Sequence, residues 1–300
     1  MKNVYVSDIA SELGLPLFGG GEDTIVSRPA DLDGCSSGDL VWLRGHDPDR
    51  IVIINQSRPA LVICDAEAAP HIRVPHIVAT NPRLSFIRCT TRWFAPVEEG
   101  GIHPTALVHP RATLGERVTV GAYTRVGPDV TIGDDCVIGS GVALEGELAL
   151  GRRCRVKANA VIGAPGFGFE RAEDGTPLHF PHLGRVVLED DVWIGACSTI
   201  ERATLGTTRL CRNVKVDDLV QIGHNTLTGE NTLVMANVVI CGGVKIGCDC
   251  WIAPNSVIKQ KINVGDHVMV GLGSVVIRDV KEGQTVIGVP ARPILPHTEK

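Results

Sequence analysis

The 300-residue chain is 44% hydrophobic and only 4% aromatic, which allows a large core but not one built on big rings. Its formal net charge of −5, with both signs mixed along the chain, excludes a nucleic-acid binder held by clustered Lys and Arg and favours small-molecule partners. No apolar run is long enough for an integral membrane segment, and Met1-Lys2-Asn3-Val4 opens no secretory leader, so a cytoplasmic protein is expected.

Residues 1–100 carry no fixed period and read as a separate small α/β domain. Ser7-Asp8-Ile9-Ala10-Ser11-Glu12-Leu13 predicts a short capped helix. Ile51-Val52-Ile53-Ile54 and Ala60-Leu61-Val62-Ile63-Cys64 predict buried strands, and Asn81-Pro82-Arg83 opens a helix running to Phe94.

At Ile102 a six-residue period begins and governs residues 101–287. It runs from Ile102 to Ile162, resumes at Leu188, Ile194 and Ile200, then continues from Leu210 to Val276. Thr228 is the one non-aliphatic residue among its 26 positions, and Gly follows the aliphatic residue in half of them. Each unit supplies one aliphatic plug from a short strand, then a turn in which glycine is expected to supply backbone angles that a Cβ forbids. Three units return the chain to the same side one strand spacing higher, about 4.8 Å, where parallel ladders satisfy the backbone. The fold class is therefore mainly β, a parallel β-helix. A helical reading fails, because six is not a multiple of 3.6. Residues 288–300 form a short tail. The ten cysteines are scattered and read as free buried thiols, and Cys248-x-Cys250 lacks a second ligand pair, so no metal site is expected.

A solenoid leaves its register only to project a loop, so the two breaks are where function is sought. The larger holds Gly163-Ala164-Pro165-Gly166-Phe167-Gly168-Phe169 and His179-Phe180-Pro181-His182-Leu183-Gly184-Arg185. Phe beside Gly suits an apolar wall that a ligand approaches closely; a loop pinned by its own aromatics is the alternative. The second, Glu201-Arg202-Ala203-Thr204-Leu205-Gly206-Thr207-Thr208, is a bulge.

Gly166-Phe167-Gly168-Phe169, Phe180-Pro181-His182-Leu183-Gly184-Arg185-Val186, Ile200-Glu201-Arg202 and Val220-Gln221-Ile222-Gly223-His224-Asn225 resemble, in order and spacing, the UDP-3-O-(3-hydroxyacyl)glucosamine N-acyltransferases of lipid A synthesis. Gly38-Asp39-Leu40, Asn81-Pro82-Arg83 and Ile102-His103-Pro104-Thr105-Ala106 extend the likeness over nearly the whole chain. The resemblance implies a left-handed helix, a uridine-binding N-terminal domain, a homotrimer with sites between neighbours, and no tightly bound cofactor. It implies an acyl-carrier-protein thioester as donor and the 2-amine of a UDP-linked 3-O-acylglucosamine as acceptor.

Such a transfer needs a base for the amine proton and a donor for the oxyanion. His224, beside a glycine, suits the base, and the resemblance makes it the catalytic residue. One coil of eighteen residues onward lies Gly242, whose N–H suits the oxyanion, the role a family glycine has at the matching position. Asn225 is expected to orient the imidazole or the sugar, or to be an ordinary turn residue; Arg202 contacts phosphate or sugar, or is a solvated surface arginine. Within the motifs above, Gly166, Phe167, Gly168, Phe169, His182 and Gln221 are the further substrate-binding candidates.

Three departures stand out. Lys261 occupies the position of the family's second histidine and is able to bind a donor phosphate instead. Trp42 stands where the family stacks uracil, unless it is core, and Gly45 has no amide to offer. The family's C-terminal helices are missing, and the ending resembles coenzyme-A-dependent sugar acetyltransferases, which keeps acyl-coenzyme A open as donor. A non-catalytic sugar-nucleotide-binding solenoid is the remaining alternative.

Overall fold

The computed structural model describes residues 3–96 and 100–293. The chain divides into two compact units, Met1–Val97 and Glu98–Lys300.

The first unit is a five-stranded sheet in the order Leu17–Phe18, His76–Val78, Leu61–Cys64, Asp39–Leu43 and Arg28–Pro29, parallel except for the pairing of its first two members. Both faces are covered, as an interior parallel strand requires. Along Leu61–Cys64, Leu61 and Ile63 join Ile9 and Cys89 on one face, while Val62 and Cys64 join Ile51 and Ile54 on the other. The helix α1 spans Val6–Leu13, close to the expected span. The second, α2, spans Pro48–Ser57 and overturns the expected strand at Ile51–Ile54. The Asp47 side chain accepts from Arg50 N, Pro48 fills the first turn where its missing N–H costs nothing, and Ile51 and Ile54 face inward while Val52 is exposed. Four apolar residues in a row thus lie on a helix whose cap was the stronger signal. The third, α3, spans Pro82–Trp93 with Asn81 as its cap.

The second unit is a parallel β-helix of three sheets. Residues one coil apart pair directly: Val120 with Ile138, Val126 with Leu144, and Ile132 with Leu150. The plugs stack into one continuous interior; Ile138, Leu144, Ile200 and Ile240 are essentially inaccessible. Each such side chain contributes about 1.5–3 kcal/mol on burial. Thr228 is also buried, and its hydroxyl has no partner.

The glycines after the plugs, Gly163 at φ 88° apart, serve a purpose other than the one expected. The left-handed residue of each corner comes later and is mostly not glycine, as at Tyr123, Asp135, Asn237 and Asn255. Gly121 and Gly133 instead lie so close to the next coil that an added Cβ would stand 2.6 Å from Gly139 C and 2.5 Å from Gly151 O. Close stacking, not positive φ, selects them.

All ten cysteines are free, but the expectation of buried thiols holds only in part: Cys64, Cys89, Cys136, Cys154 and Cys250 are buried, whereas Cys197 occupies an exposed corner. Burial pushes the Cys64 and Cys89 thiols up to about 11. Of the expected tail, Arg292–Pro293 pairs back onto Thr285–Ile287, and residues 294–300 lie outside the described residues.

Candidate active site

Both breaks leave the interior ladder intact. Ile162 pairs with Ile200 and Ile200 with Ile222, so the extra residues are pushed out at a corner while the plugs stay stacked. The larger insertion is a hairpin in which Phe169–Arg171 runs antiparallel to Pro177–His179. The smaller is the turn from Ala203 to Gly206, between the strands Thr199–Arg202 and Thr207–Leu210.

His224 lies where these insertions meet. Its neighbour Asn225, in the left-handed region at φ 60°, donates from Nδ2 to Leu205 O at 2.7 Å. That bond fixes the amide, so Oδ1 is the acceptor for Thr204 N at 3.1 Å, Thr204 Oγ1 at 2.9 Å and His224 Nδ1 at 2.9 Å. The hydrogen of the neutral imidazole therefore sits on Nδ1, and Nε2 keeps its lone pair. Asn225 both ties down the second break and orients the ring.

Gly242 lies against the same imidazole: a Cβ there would stand 2.5 Å from His224 Nε2. The Gly242 N–H has no hydrogen-bond partner among the described residues. Lys261 is exposed, one coil further at the same corner, donating from its backbone to Gly242 O at 3.0 Å.

The acid in this cluster is Glu201, to which the sequence reading gave no role. Its Oε2 accepts from His224 N at 3.1 Å and its Oε1 from Gln221 Nε2 at 2.8 Å, so Gln221 acts on the carboxylate. A signal was present: Glu201 follows the plug Ile200, where half the repeats have glycine.

His182 is 3% exposed and packs edge-on to His224, ring centroids 5.2 Å apart. Its Nδ1 donates to Phe180 O at 2.9 Å, and its Nε2 is buried with no partner among the described residues. Burial first, then the neighbouring His224 ring, pushes its pKa below the usual 6.5 and keeps it neutral. His179 stacks on it at 5.7 Å, and Phe169 in turn lies 5.2 Å from His179.

Gly166 and Gly168 bring the base of the hairpin down onto His182; a Cβ on Gly166 would collide with the Glu201 carboxylate and stand 3.0 Å from His182 Nε2. A cavity of 510 Å³ opens here, lined by Phe169, Leu178, His179, Phe180, Thr204 and His224. Phe167, packed on Phe169 at 4.8 Å, is exposed at the hairpin's edge.

Arg202 is not brought into the cluster. Its guanidinium lies over Gly146, its Nε is buried without a partner, and it shares no hydrogen bond with His224 among the described residues. Trp42, in the first unit, is half-buried against the core and also lines a 430 Å³ cavity with Pro29, Asp31, Arg50 and Phe86. Core packing and an exposed ring edge are thus both true of it. Gly45 has φ 79° and donates to Asp65 at 2.7 Å. Among the described residues no group of three metal ligands occurs, and no helix is long and apolar enough to cross a membrane.

Known proteins resemble this chain in sequence and fold. The model of the bacterial transferase hexapeptide (six repeats) matches residues 111–146, and that of the hexapeptide repeat of succinyl-transferase matches 129–164 and 220–260. The chain is 32% identical over 290 residues to a UDP-3-O-acylglucosamine N-acyltransferase of Delftia acidovorans, covering 96% of this chain and 86% of that one. It is 41% identical over 256 residues to UDP-3-O-acylglucosamine N-acyltransferase 2 of Gloeobacter violaceus, covering 79% and 68%. Among solved structures, UDP-N-acetylglucosamine acyltransferase from Campylobacter jejuni superposes with a TM-score of 0.59 at 25% identity, over 65% of this chain and 74% of that one. The common fold is the left-handed parallel β-helix.

Proposed function

Because the chain belongs to the UDP-3-O-acylglucosamine N-acyltransferase family, we propose that it transfers a (3-hydroxy)acyl group from an acyl-carrier-protein thioester to the 2-amine of a UDP-linked 3-O-acylglucosamine, in lipid A synthesis. The observation that carries this reading is the Asn225–His224–Gly242 arrangement: a ring with its hydrogen fixed on Nδ1, its Nε2 free, and an unpartnered backbone N–H beside it.

In the reaction the amine nitrogen forms a C–N bond to the thioester carbonyl while its proton passes to His224 Nε2. The Gly242 N–H donates a hydrogen bond to the developing oxyanion. The tetrahedral carbon then expels the thiolate, which takes the proton from the His224 imidazolium, leaving amide and thiol. Glu201 holds the backbone of His224 by accepting from its N–H. The Phe167 and Phe169 hairpin is the apolar wall for acyl chains, and Trp42 and Phe86 are the aromatic surfaces of the first unit for a nucleotide base. Lys261 takes a phosphate of the donor, and three chains assemble into a homotrimer in the cytoplasm.

The test is to supply UDP-3-O-acylglucosamine with acyl-carrier-protein and coenzyme-A thioesters and to identify products by mass, with the 32.0 kDa chain's assembly read by light scattering. Acyl-amide formation from the carrier thioester is expected. Transfer of acetyl alone from coenzyme A, or no transfer with nucleotide binding intact, overturns it.

A further inference from the structure

His182 is a buried histidine whose second ring nitrogen has no partner among the described residues, an arrangement that is costly unless something arrives to satisfy it. Its Nδ1 is already committed to Phe180 O, so the orphan Nε2 is an acceptor and not a donor. Low pKa keeps it so. Glu201 Oε2 is its near neighbour, because a Cβ on Gly166 would collide with that oxygen and stand 3.0 Å from His182 Nε2. His224, with Nε2 also in acceptor form, lies edge-on to His182. Two imidazoles without Nε2 hydrogens thus lie beside a carboxylate whose Oε2 also accepts from His224 N.

We propose that His182 Nε2, with Glu201 Oε2, is the receptor for the N–H bonds of the acceptor's amino group and sets the preference for an amine over a hydroxyl nucleophile at this site. An ammonium brings three N–H donors and a positive charge, which suit three acceptors of which one is a carboxylate. A hydroxyl brings one donor and leaves the others unmet. The group arrives as the ammonium and sheds one proton to solvent to become the nucleophile. The second proton leaves to His224 as the C–N bond forms. His182 stays neutral throughout and holds the nitrogen by accepting one N–H. This inference rests on the reaction proposed above and names the residue that selects its nucleophile.

The experiment measures steady-state transfer by wild type, His182→Leu and His182→Gln, using UDP-3-O-acylglucosamine and its counterpart with a 2-hydroxyl, together with binding of both compounds and melting curves. Removing one acceptor from a charged donor is expected to raise KM for the amine about 10- to 100-fold with kcat nearly unchanged. Affinity for the hydroxyl compound should stay as in wild type. His182→Gln, whose Oε1 also accepts, should recover most of the loss. Equal weakening toward both compounds, no weakening at all, or a glutamine variant no better than leucine overturns the inference. If the leucine variant does not fold, the glutamine variant and the wild-type preference decide: equal wild-type affinity for both compounds overturns it. Absence of transfer by wild type defeats the parent reaction and this inference together, whereas wild-type transfer with indifferent variants defeats the inference alone.

Discussion

From Leu210 to Val276 each coil repeats the last, whereas the stretch from Ile162 to Leu210 carries the hairpin, the four-residue turn, His182 and Glu201 on the same interior ladder. In the regular coils the plugs bear almost all the energetics, and outside them only the corner of His224 and Gly242 is proposed to do chemistry. In the interrupted coils the plugs are unchanged and the chemistry is added at one corner. Stability and reactivity are therefore carried by different atoms, and substitutions should separate them cleanly.

The largest separation is expected from His224→Ala, which should lower kcat on the order of 1,000-fold in the transfer assay while the melting temperature stays put. Survival of activity would break the site assignment. The converse is Ile138→Ala, a plug 1% exposed in a regular coil, expected to cost about 2–5 kcal/mol in urea unfolding with kcat and KM unaltered at low denaturant. Next is Gly242→Ala. Its Cβ would stand 2.5 Å from His224 Nε2, so the ring must shift, and a loss of about 100-fold in kcat with little change in unfolding midpoint is expected. Asn225→Ala should blur the comparison, since it frees both His224 Nδ1 and the turn at Thr204: about tenfold in kcat and about 1–2 kcal/mol in stability are expected, read from the same two assays.

The smallest effect is a pH dependence. Because the folded pKa of His182 lies below its ordinary 6.5, the unfolded chain takes up the proton first, so its contribution is fully present above pH 6.5 and falls as pH drops toward the folded pKa. Wild type should lose more melting temperature than His182→Gln between pH 7.5 and 5.5. Equal losses would show that the burial of this ring has no energetic consequence.

What the sequence made legible follows the same division. The plug-and-turn period is local, so the ladder from Ile102 to Val276 and its eighteen-residue pairing were readable, and that pairing brought Gly242 to His224 by counting alone. The contact of Asn225 with Thr204 and Leu205, and the partnership of Glu201 with Gln221, depend on how far each break bulges, which no period encodes. The direction of Arg202 is hidden for the same reason: its position in the chain is beside Glu201, but its side chain turns to Gly146. In the first unit, Ile51–Ile54 looked like a strand because a short apolar run is ambiguous, and the decisive residues were Asp47 and Pro48 just before it.

Each rung of the ladder is bonded only to the rungs before and after it, like teeth of a zipper. Ile102, in the first rung, is 52% exposed, while Ile162, Ile200 and Ile222 are sealed. Fraying therefore starts at the ends, and amide exchange should be fastest near Ile102 and slowest around Ile200. The residues that converge on His224 are anchored to rungs far from either end, so on gradual heating this corner is the last part of the prism to come undone.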